Sequence, residues 1–356
     1  MSARGWQQPG GHPALQSDAD APVLRIAYAH AELDALLAGS DVLAVLGFGQ
    51  AAPPAHADPR YLRVALEPLQ AAAPFEVWRA SAPMVSGHAG GVRYAHDGNL
   101  LFGAMEIDEA RFQSLASADS AIAAAAATAY TELSAFLIDS EFPHALRIWN
   151  CLAAITEGSD DAERYRQFCV GRARGLPSHT RYPAATAIGT PATATGAARL
   201  LQIYFLAAKS PGTPIENPRQ LSAYRYPRQY GPQPPTFARA MLAPGTLAAS
   251  APLLISGTAS VRGHHSVHAD DVLLQLDETL LNLRAVLDAA RELQPALPPA
   301  LGRHSVLKAY LRDPAHAAMV ESALRAHLPA NTPLLLLHAD ICRAELLIEI
   351  DGFHGV

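Results

Sequence analysis

Three stretches of this 356-residue chain carry side chains whose types and spacing suit chemistry rather than packing. The closing run ELLIEID (345–351) alternates Leu346, Ile348 and Ile350 on one side with Leu347, Glu349 and Asp351 on the other, as a strand does. Glu349 thereby shares a face with Leu347, which puts it at a solvent-facing surface or in a partly apolar site. In the second setting desolvation raises the carboxyl pKa, and a bound anion raises it further. An unperturbed carboxyl with a pKa near 4.3 is only about 0.2% protonated at pH 7, so general-acid work needs such a setting.

The run DDAERYRQFCVGRAR (160–174) places Tyr165, Phe168, Cys169 and Arg172 at i, i+3, i+4 and i+7 of a helix. Arg172 then lies on the inward face, while Arg164, Arg166 and Arg174 reach solvent. An inward guanidinium needs an anion, supplied by a structural carboxylate or by a ligand. The segment LSAYRYPRQYGPQPPTFAR (221–239) combines three tyrosines and three arginines with little aliphatic content. Such a segment is either a solvated loop or a recognition surface in which Arg forks and phenols meet a small planar polyacid.

Other motifs are poorer. LGFGQAA (46–52) meets the relaxed dinucleotide fingerprint, but Pro53 and Pro54 interrupt the helix that would face a pyrophosphate. GHHSVH (263–268) holds three imidazoles, with only Asp270 and Asp271 near enough to complete a metal site, so loop and cap roles fit it better. Neither a GxSxG elbow nor a P-loop occurs. No cofactor and no metal are expected.

The positioning elements follow from composition and periodicity. With half the residues apolar, 17% charged and a formal charge of −6, the chain is globular and has no general attraction for a phosphate backbone or an anionic membrane. Cys151, Cys169 and Cys342 are odd in number and far apart, which fits a reducing, cytoplasmic setting. The first 22 residues read as a disordered tail, and the Ala-rich AIAAAAATAY is too short to span a bilayer.

Strand-like runs at 23–29, 41–49, 61–68 and 75–81 precede a strand at 99–107, a helical stretch from Asp108 to about Leu137, a strand at 145–155 and a helix from Asp160 to about Arg174. A strand at 252–261 is followed by the stripe Val272, Leu276, Leu280, Leu283, Leu287 and Ala290, with Asp270 as N-cap. A strand at 304–311, a helix opened by Pro314, and strands at 333–340 and 345–351 close the chain. The order strand, helix, strand, helix thus occurs twice. Two copies of one α+β unit are expected, each with its helices on one face of a mixed sheet, the first over 23–209 and the second, carrying Glu349, over 210–356.

The runs RIWNCLAAI (147–155), ERYRQFCVGRA (163–173), SPGTPIENPRQLSAYRYPRQYGP (210–232), LISGTASVRGHHSVHADDV (254–272) and ADICRAELLIEID (339–351) resemble the chorismatase family, which cleaves chorismate to pyruvate and a ring product. The resemblance implies two fused Rid/YjgF-like α+β units and a cofactor-free enzyme. It implies that Glu349 is the catalytic acid and that Tyr165, Arg172, Tyr226 and Arg239 bind substrate, with Asn150, Gly257 and Thr258 as further pocket candidates.

At position 342 the hydrolysing members tend to carry Ala and those forming 3-hydroxybenzoate carry Cys. Cys342 therefore resembles the aromatising branch, with 4-hydroxybenzoate as a second product in some members. The expected partner is chorismate alone, with no nucleic acid or membrane, in a monomer (a pseudo-oligomeric fusion) or a small homo-oligomer. The alternatives are a chorismate hydrolase releasing a dihydroxycyclohexadiene carboxylate, a Rid-like imine hydrolase, and a non-catalytic metabolite-binding module.

Overall fold

The computed structural model describes residues 24–70, 74–81, 83–115, 120–177, 181–190, 199–245 and 251–356. The tail expected over 1–22 lies outside them. Two seven-stranded sheets organise the chain. The first runs, edge to edge, Asp340–Ile341, Ala184–Thr190, His144–Ala153, Leu200–Ala208, Leu100–Asp108, Val92–His96 and Val85–Ala89. The second runs Thr213–Ile215, Ala240–Leu242, Leu253–Ala259, Ile348–His354, Ser305–Leu311, Leu334–His338 and Glu67–Pro68.

In each sheet one neighbouring pair is parallel, His144–Ala153 with Ala184–Thr190 and Ser305–Leu311 with Leu334–His338, and every other pair is antiparallel. Helices Ala121–Asp139 and Arg164–Gly175 flank the strand before the parallel crossover in the first copy, and Val272–Leu293 and Ala317–His327 do so in the second. These are two copies of one α+β unit. Each borrows its last edge strand from outside itself, which ties the parts of the chain together. A four-stranded sheet (Arg25–Ala29, Phe75–Arg79, Val42–Phe48, Tyr61–Val64) precedes the first copy.

Burial follows from the alternation of side chains along each strand. On the outer face of the first sheet, Ile148, Leu152, Ile203 and Phe205 meet Ile122, Ala126, Tyr130 and Phe168 of its helices. On that of the second, Leu307, Leu336, Ile348 and Ile350 meet Leu276, Leu283, Val320 and Leu324. The inner faces of all three sheets share one core around Trp78, Trp149, Tyr204 and Phe353.

Helices Ala121–Asp139 and Arg164–Gly175 approach closely because Gly171 and Gly175 stand at the contact: a Cβ at Gly171 would lie 2.1 Å from the Ala123 carbonyl oxygen. Ser120 caps the longer helix by accepting from Ala123 N. By length and mean hydropathy (1.5) this helix passes for a membrane span, contrary to the expectation from its Ala-rich run alone. Its buried residues pack within the protein.

Several expectations are corrected. The stretch after 108 is not helical at once: a 3-10 helix at Glu109–Leu115 precedes the helix beginning at Ala121. Asp271, not Asp270, is the N-cap of Val272–Leu293, accepting from Leu273 and Leu274 N, while Asp270 takes φ +66°. Arg164 is buried rather than solvent-facing, held by Glu109 at 2.7 Å and the Ala153 carbonyl at 3.0 Å. Leu346 and Leu347 do not belong to the closing strand. It spans Ile348–His354, and Leu347 packs on the helix side, opposite Glu349.

Candidate active site

Where strand Ala184–Thr190 of the first sheet meets strand Leu253–Ala259 of the second, two hydrogen bonds stitch the seam. Ala185 N donates to Ser256 Oγ (2.9 Å) and Gly257 N to Thr186 Oγ1 (3.0 Å). A cavity of about 360 Å³ opens at this seam. That size lies within the usual small-ligand range of roughly 300–1,000 Å³. Its lining includes Glu349, Cys342, Tyr165, Arg172, Tyr226, Arg239 and Gly257. Seven of the nine expected site residues are thus brought together from both halves of the chain.

Asn150 and Thr258 do not line the cavity. Asn150 supports it from below, accepting from Tyr130 OH (2.6 Å) and donating to the Thr186 carbonyl (3.0 Å), and Thr258 donates to the Ser256 carbonyl within its own strand (2.9 Å).

Glu349 faces inward from the closing strand, paired across to Tyr310 on one side and Ala259 on the other, and is 5% exposed. Burial raises its carboxyl from 4.5 to about 8, the charge of Asp351 adds to the rise, and Arg147 and Arg239 oppose it. The slot it occupies exists because residue 257 is glycine, since a Cβ there would stand 1.8 Å from Glu349 Oε1.

Arg172 is 3% exposed, and its Nε and Nη2 have no hydrogen-bond partner among the described residues. Its guanidinium sits 5.0 Å from the Tyr130 ring centre. Arg239 is 5% exposed and donates from Nη2 to Tyr226 OH (2.7 Å) and the Leu221 carbonyl (2.8 Å), leaving Nε unpartnered. Buried donors without acceptors are costly unless a ligand satisfies them. The cavity therefore offers guanidinium groups from opposite halves and, besides Glu163 and Glu345, a buried carboxyl at Glu349 whose pKa is raised.

Cys342 is half-buried, and burial together with the nearby Glu349 pushes its thiol well above its ordinary range. It is a neutral thiol rather than a nucleophilic thiolate. Burial likewise raises the Tyr165 phenol, with Cys169 and Cys342 adding to it.

The loop that carries Cys342 is fixed by Arg312, which bonds Asp340 Oδ1 (2.7 Å) and the carbonyls of Ile341, Arg343 and Leu346 (2.9, 3.0 and 2.9 Å). From helix Val272–Leu293, Gln275 holds the Glu345 carbonyl and the Leu347 amide (both 2.8 Å), and Asn282 holds the Ala259 and Val261 carbonyls (3.1 and 2.9 Å).

The Tyr- and Arg-rich segment forms one wall of the cavity through Tyr226, Tyr230 and Arg239, and is built on two 3-10 turns, Ala223–Arg225 and Arg228–Tyr230. Of its three arginines only Arg239 lines the cavity; Arg228 pairs outside with Asp161 at 2.5 Å. Sequence reasoning missed Arg343, which stacks 4.1 Å over Tyr230 and 5.2 Å over Tyr226 at the cavity wall, and Thr186, which lines the seam. Arg343 stood beside Cys342 in a run already singled out, whereas nothing around Thr186 marks it. The His264 and His265 rings lie 3.9 Å apart, tilted by 37°, with His264 Nδ1 3.2 Å from Tyr230 OH.

The family described as "Chorismatase FkbO/Hyg5-like, N-terminal" matches residues 76–207. A protein of Streptomyces rapamycinicus named "Chorismatase" is 34% identical over 294 residues, 78% of this chain and 81% of its own. A "3-hydroxybenzoate synthase" of Streptomyces hygroscopicus is 32% identical over 293 residues, 79% and 82% of the two chains. A crystal structure of a chorismatase superposes with a TM-score of 0.77 at 31% identity, covering 94% of this chain and 98% of that one. With this cavity set between two fused α+β units and relatives of that identity and coverage, the chain belongs to the chorismatase family.

Proposed function

We propose that this protein converts chorismate to pyruvate and 3-hydroxybenzoate by acid-initiated cleavage of the enolpyruvyl ether. The observation that carries the reading is a buried carboxyl, Glu349 with a pKa of about 8, facing a cavity that also holds Arg172 and Arg239 with unsatisfied donors. At pH 7 such a carboxyl is about nine-tenths protonated.

The two guanidinium groups match the two carboxylates of chorismate, and bidentate forks fix a planar dianion better than point charges would. Glu349 hands its proton to the methylene carbon of the enolpyruvyl group, which gives an oxocarbenium ion. The carboxylate left behind stabilises that cation in a site where water is scarce. Dianion binding raises the carboxyl further before the transfer and favours its acid form.

Two fates are open to the cation. Water capture leads to pyruvate and a dihydroxycyclohexadiene carboxylate. Capture involving the neighbouring ring hydroxyl leads through an arene-oxide-like species to hydroxybenzoate, and this route consumes no water, since the atoms of chorismate equal those of pyruvate plus hydroxybenzoate. The neutral thiol of Cys342, held in the cavity wall by the Arg312-braced loop, favours the second route by occupying the place of a hydrolytic water.

The proposed enzyme acts in the cytoplasm without a cofactor, as a monomer or a small homo-oligomer. Incubation with chorismate, a coupled pyruvate assay and chromatography of the ring product test the reading. Pyruvate and hydroxybenzoate are expected; no pyruvate refutes it, and ammonia release from 2-aminoacrylate without chorismate turnover selects the imine-hydrolase alternative.

A further inference from the structure

We propose that Asp351 is a positioning residue for this site, fixing from beneath the cavity where the Glu349 carboxyl sits and which charge it carries. The inference rests on the reading of Glu349 as the proton donor. Asp351 stands two residues on along the same strand, on the same inward face, and is fully buried. It is absent from the cavity lining.

Its Oδ2 is a hub. It accepts from Thr186 Oγ1 (2.7 Å), Trp149 Nε1 (2.8 Å), Arg147 Nη2 (2.9 Å) and Tyr310 OH (2.9 Å). Oδ1 has no hydrogen-bond partner among the described residues, and Lys308 Nζ lies 3.8 Å from it, closer to Glu76 at 2.9 Å. Four donors thus converge on one oxygen and fix where the Asp351 carboxyl group sits.

Two consequences reach Glu349. The first is geometric. By accepting the Thr186 proton, Asp351 turns the lone pairs of that hydroxyl toward Gly257 N, which donates at 3.0 Å. This bond fixes the backbone at the glycine against which the Glu349 carboxyl rests. The second is electrostatic. The Asp351 anion opposes ionisation of its strand neighbour.

The other charged and titratable groups around the pair come from every adjoining element: Arg147 and Cys151 from strand His144–Ala153, Glu163, Tyr165, Arg166 and Arg172 from helix Arg164–Gly175 and its N-cap, Tyr204 from strand Leu200–Ala208, Tyr226, Tyr230 and Arg239 from the Tyr- and Arg-rich wall, Cys342, Arg343 and Glu345 from the braced loop, Lys308 and Tyr310 from strand Ser305–Leu311, and Tyr28 and Glu76 from the four-stranded sheet. Arg147, bonded to Asp351 and Thr186, opposes part of the effect of Asp351 on Glu349, and Lys308 is committed to Glu76.

Asp351→Asn removes the charge at nearly constant shape. In the full-length enzyme the falling limb of kcat/KM, expected near pH 8 from Glu349, should move down by roughly one to two pH units, the Coulomb effect of one charge two strand residues on, roughly 7 Å, at an effective dielectric constant of about 20 to 40. A readout without turnover accompanies it: the pH at which the unfolding stability of Glu349→Gln stops diverging from that of its Glu349 parent should move by the same amount in the Asp351→Asn background.

Tyr310→Phe deletes one hydrogen bond to Asp351 and keeps the charge, so it should lower stability and leave the limb in place. Should Asp351→Asn fail to fold, Thr186→Val tests the geometric arm: kcat is expected to fall tenfold or more at a KM within about twofold, and an unchanged kcat overturns the inference. A limb unmoved in Asp351→Asn, with Glu349→Gln inactive, also overturns it and leaves the acid assignment intact. Full turnover by Glu349→Gln instead overturns the acid assignment itself.

Discussion

Keeping a carboxyl protonated at neutral pH costs the folded state stability, and Glu349→Gln should recover it. The folded carboxyl titrates at about 8 against 4.5 for an ordinary one, so Glu349 favours the native state fully below pH 4.5 and progressively loses that contribution as pH rises to about 8. Each pH unit in that window removes about 1.4 kcal/mol.

The variant, which cannot titrate, should therefore gain on the parent by about 2 kcal/mol at pH 6, about 3 at pH 7 and close to 5 above pH 8.5, values that follow from the two pKa figures. Gln buried in the same slot carries a constant hydrogen-bonding offset, so the slope with pH, not the absolute gap, is the diagnostic. Urea unfolding of both proteins across pH 5.5–9, read by intrinsic fluorescence, measures it, while the pyruvate assay should show turnover reduced by roughly 10²–10⁴. A gap that does not widen with pH would mean that the carboxyl is not desolvated, and the proton-transfer argument would fall with it.

Three shorter predictions concern the walls of the cavity. Gly257→Ala puts a methyl group where Glu349 Oε1 lies, so turnover should drop at least a hundredfold by the pyruvate assay while the circular dichroism spectrum is kept; normal activity would show that the carboxyl does not use that slot. Arg172→Ala removes charge-assisted bonds to the substrate worth about 1.5–3 kcal/mol, a loss of roughly ten- to hundredfold in kcat/KM that Lys restores only in part; equal activity of the Ala variant would remove Arg172 from substrate binding. Cys342→Ala opens room for water beside Glu349, so the ring product should shift toward the dihydroxycyclohexadiene carboxylate, and an unchanged product ratio on chromatography would strip Cys342 of any part in branch choice.

Local pattern revealed the parts of this site that lie within single elements. The stripe Tyr165, Phe168, Cys169, Arg172 follows from helix periodicity and holds, whereas strand alternation leaves Glu349 between a solvent-facing surface and a partly apolar site, and its burial at the cavity comes from the fold, with Leu347 on the opposite face. The doubled order of strands and helices also shows, because each copy repeats the same spacing of apolar runs.

What sequence could not supply is pairing across the chain. Asp340–Ile341 joins the first sheet and Glu67–Pro68 the second through backbone hydrogen bonds, which leave no trace in residue type. Strands Ala184–Thr190 and Leu200–Ala208 read poorly for a related reason: both are buried between layers, so the polar-apolar alternation that marks a half-exposed strand is missing. Arg164 misled because helical position fixes a direction, while Glu109, which captures it, comes from another element.

The duplication raises the question of why one copy carries the acid. On the central strand of the first copy, Leu200–Ala208, the first inward buried side chain is Gln202, paired across to Cys151 and Glu106, as Glu349 is paired to Tyr310 and Ala259 in the second. The Gln202 amide is fully used. Its Nε2 donates to the Arg63 carbonyl (2.9 Å) and Glu106 Oε1 (2.8 Å), and its Oε1 accepts from Ala65 N (3.4 Å). Glu106 in turn holds Arg93, and the cavity here is smaller, about 240 Å³.

An amide fits between a carboxylate and a carbonyl because it has donors for both, whereas a carboxylate there would face two acceptors. Gln202→Glu should therefore form a carboxyl pair with Glu106 that binds one proton jointly, with stability falling by roughly 1–3 kcal/mol as pH rises through neutrality. Turnover should stay at the parent level, because Arg172 and Arg239 line the other cavity. Extra pyruvate formation by this variant, or stability that improves with rising pH, would show that the first copy keeps a working site and that the division of labour drawn between the copies is wrong.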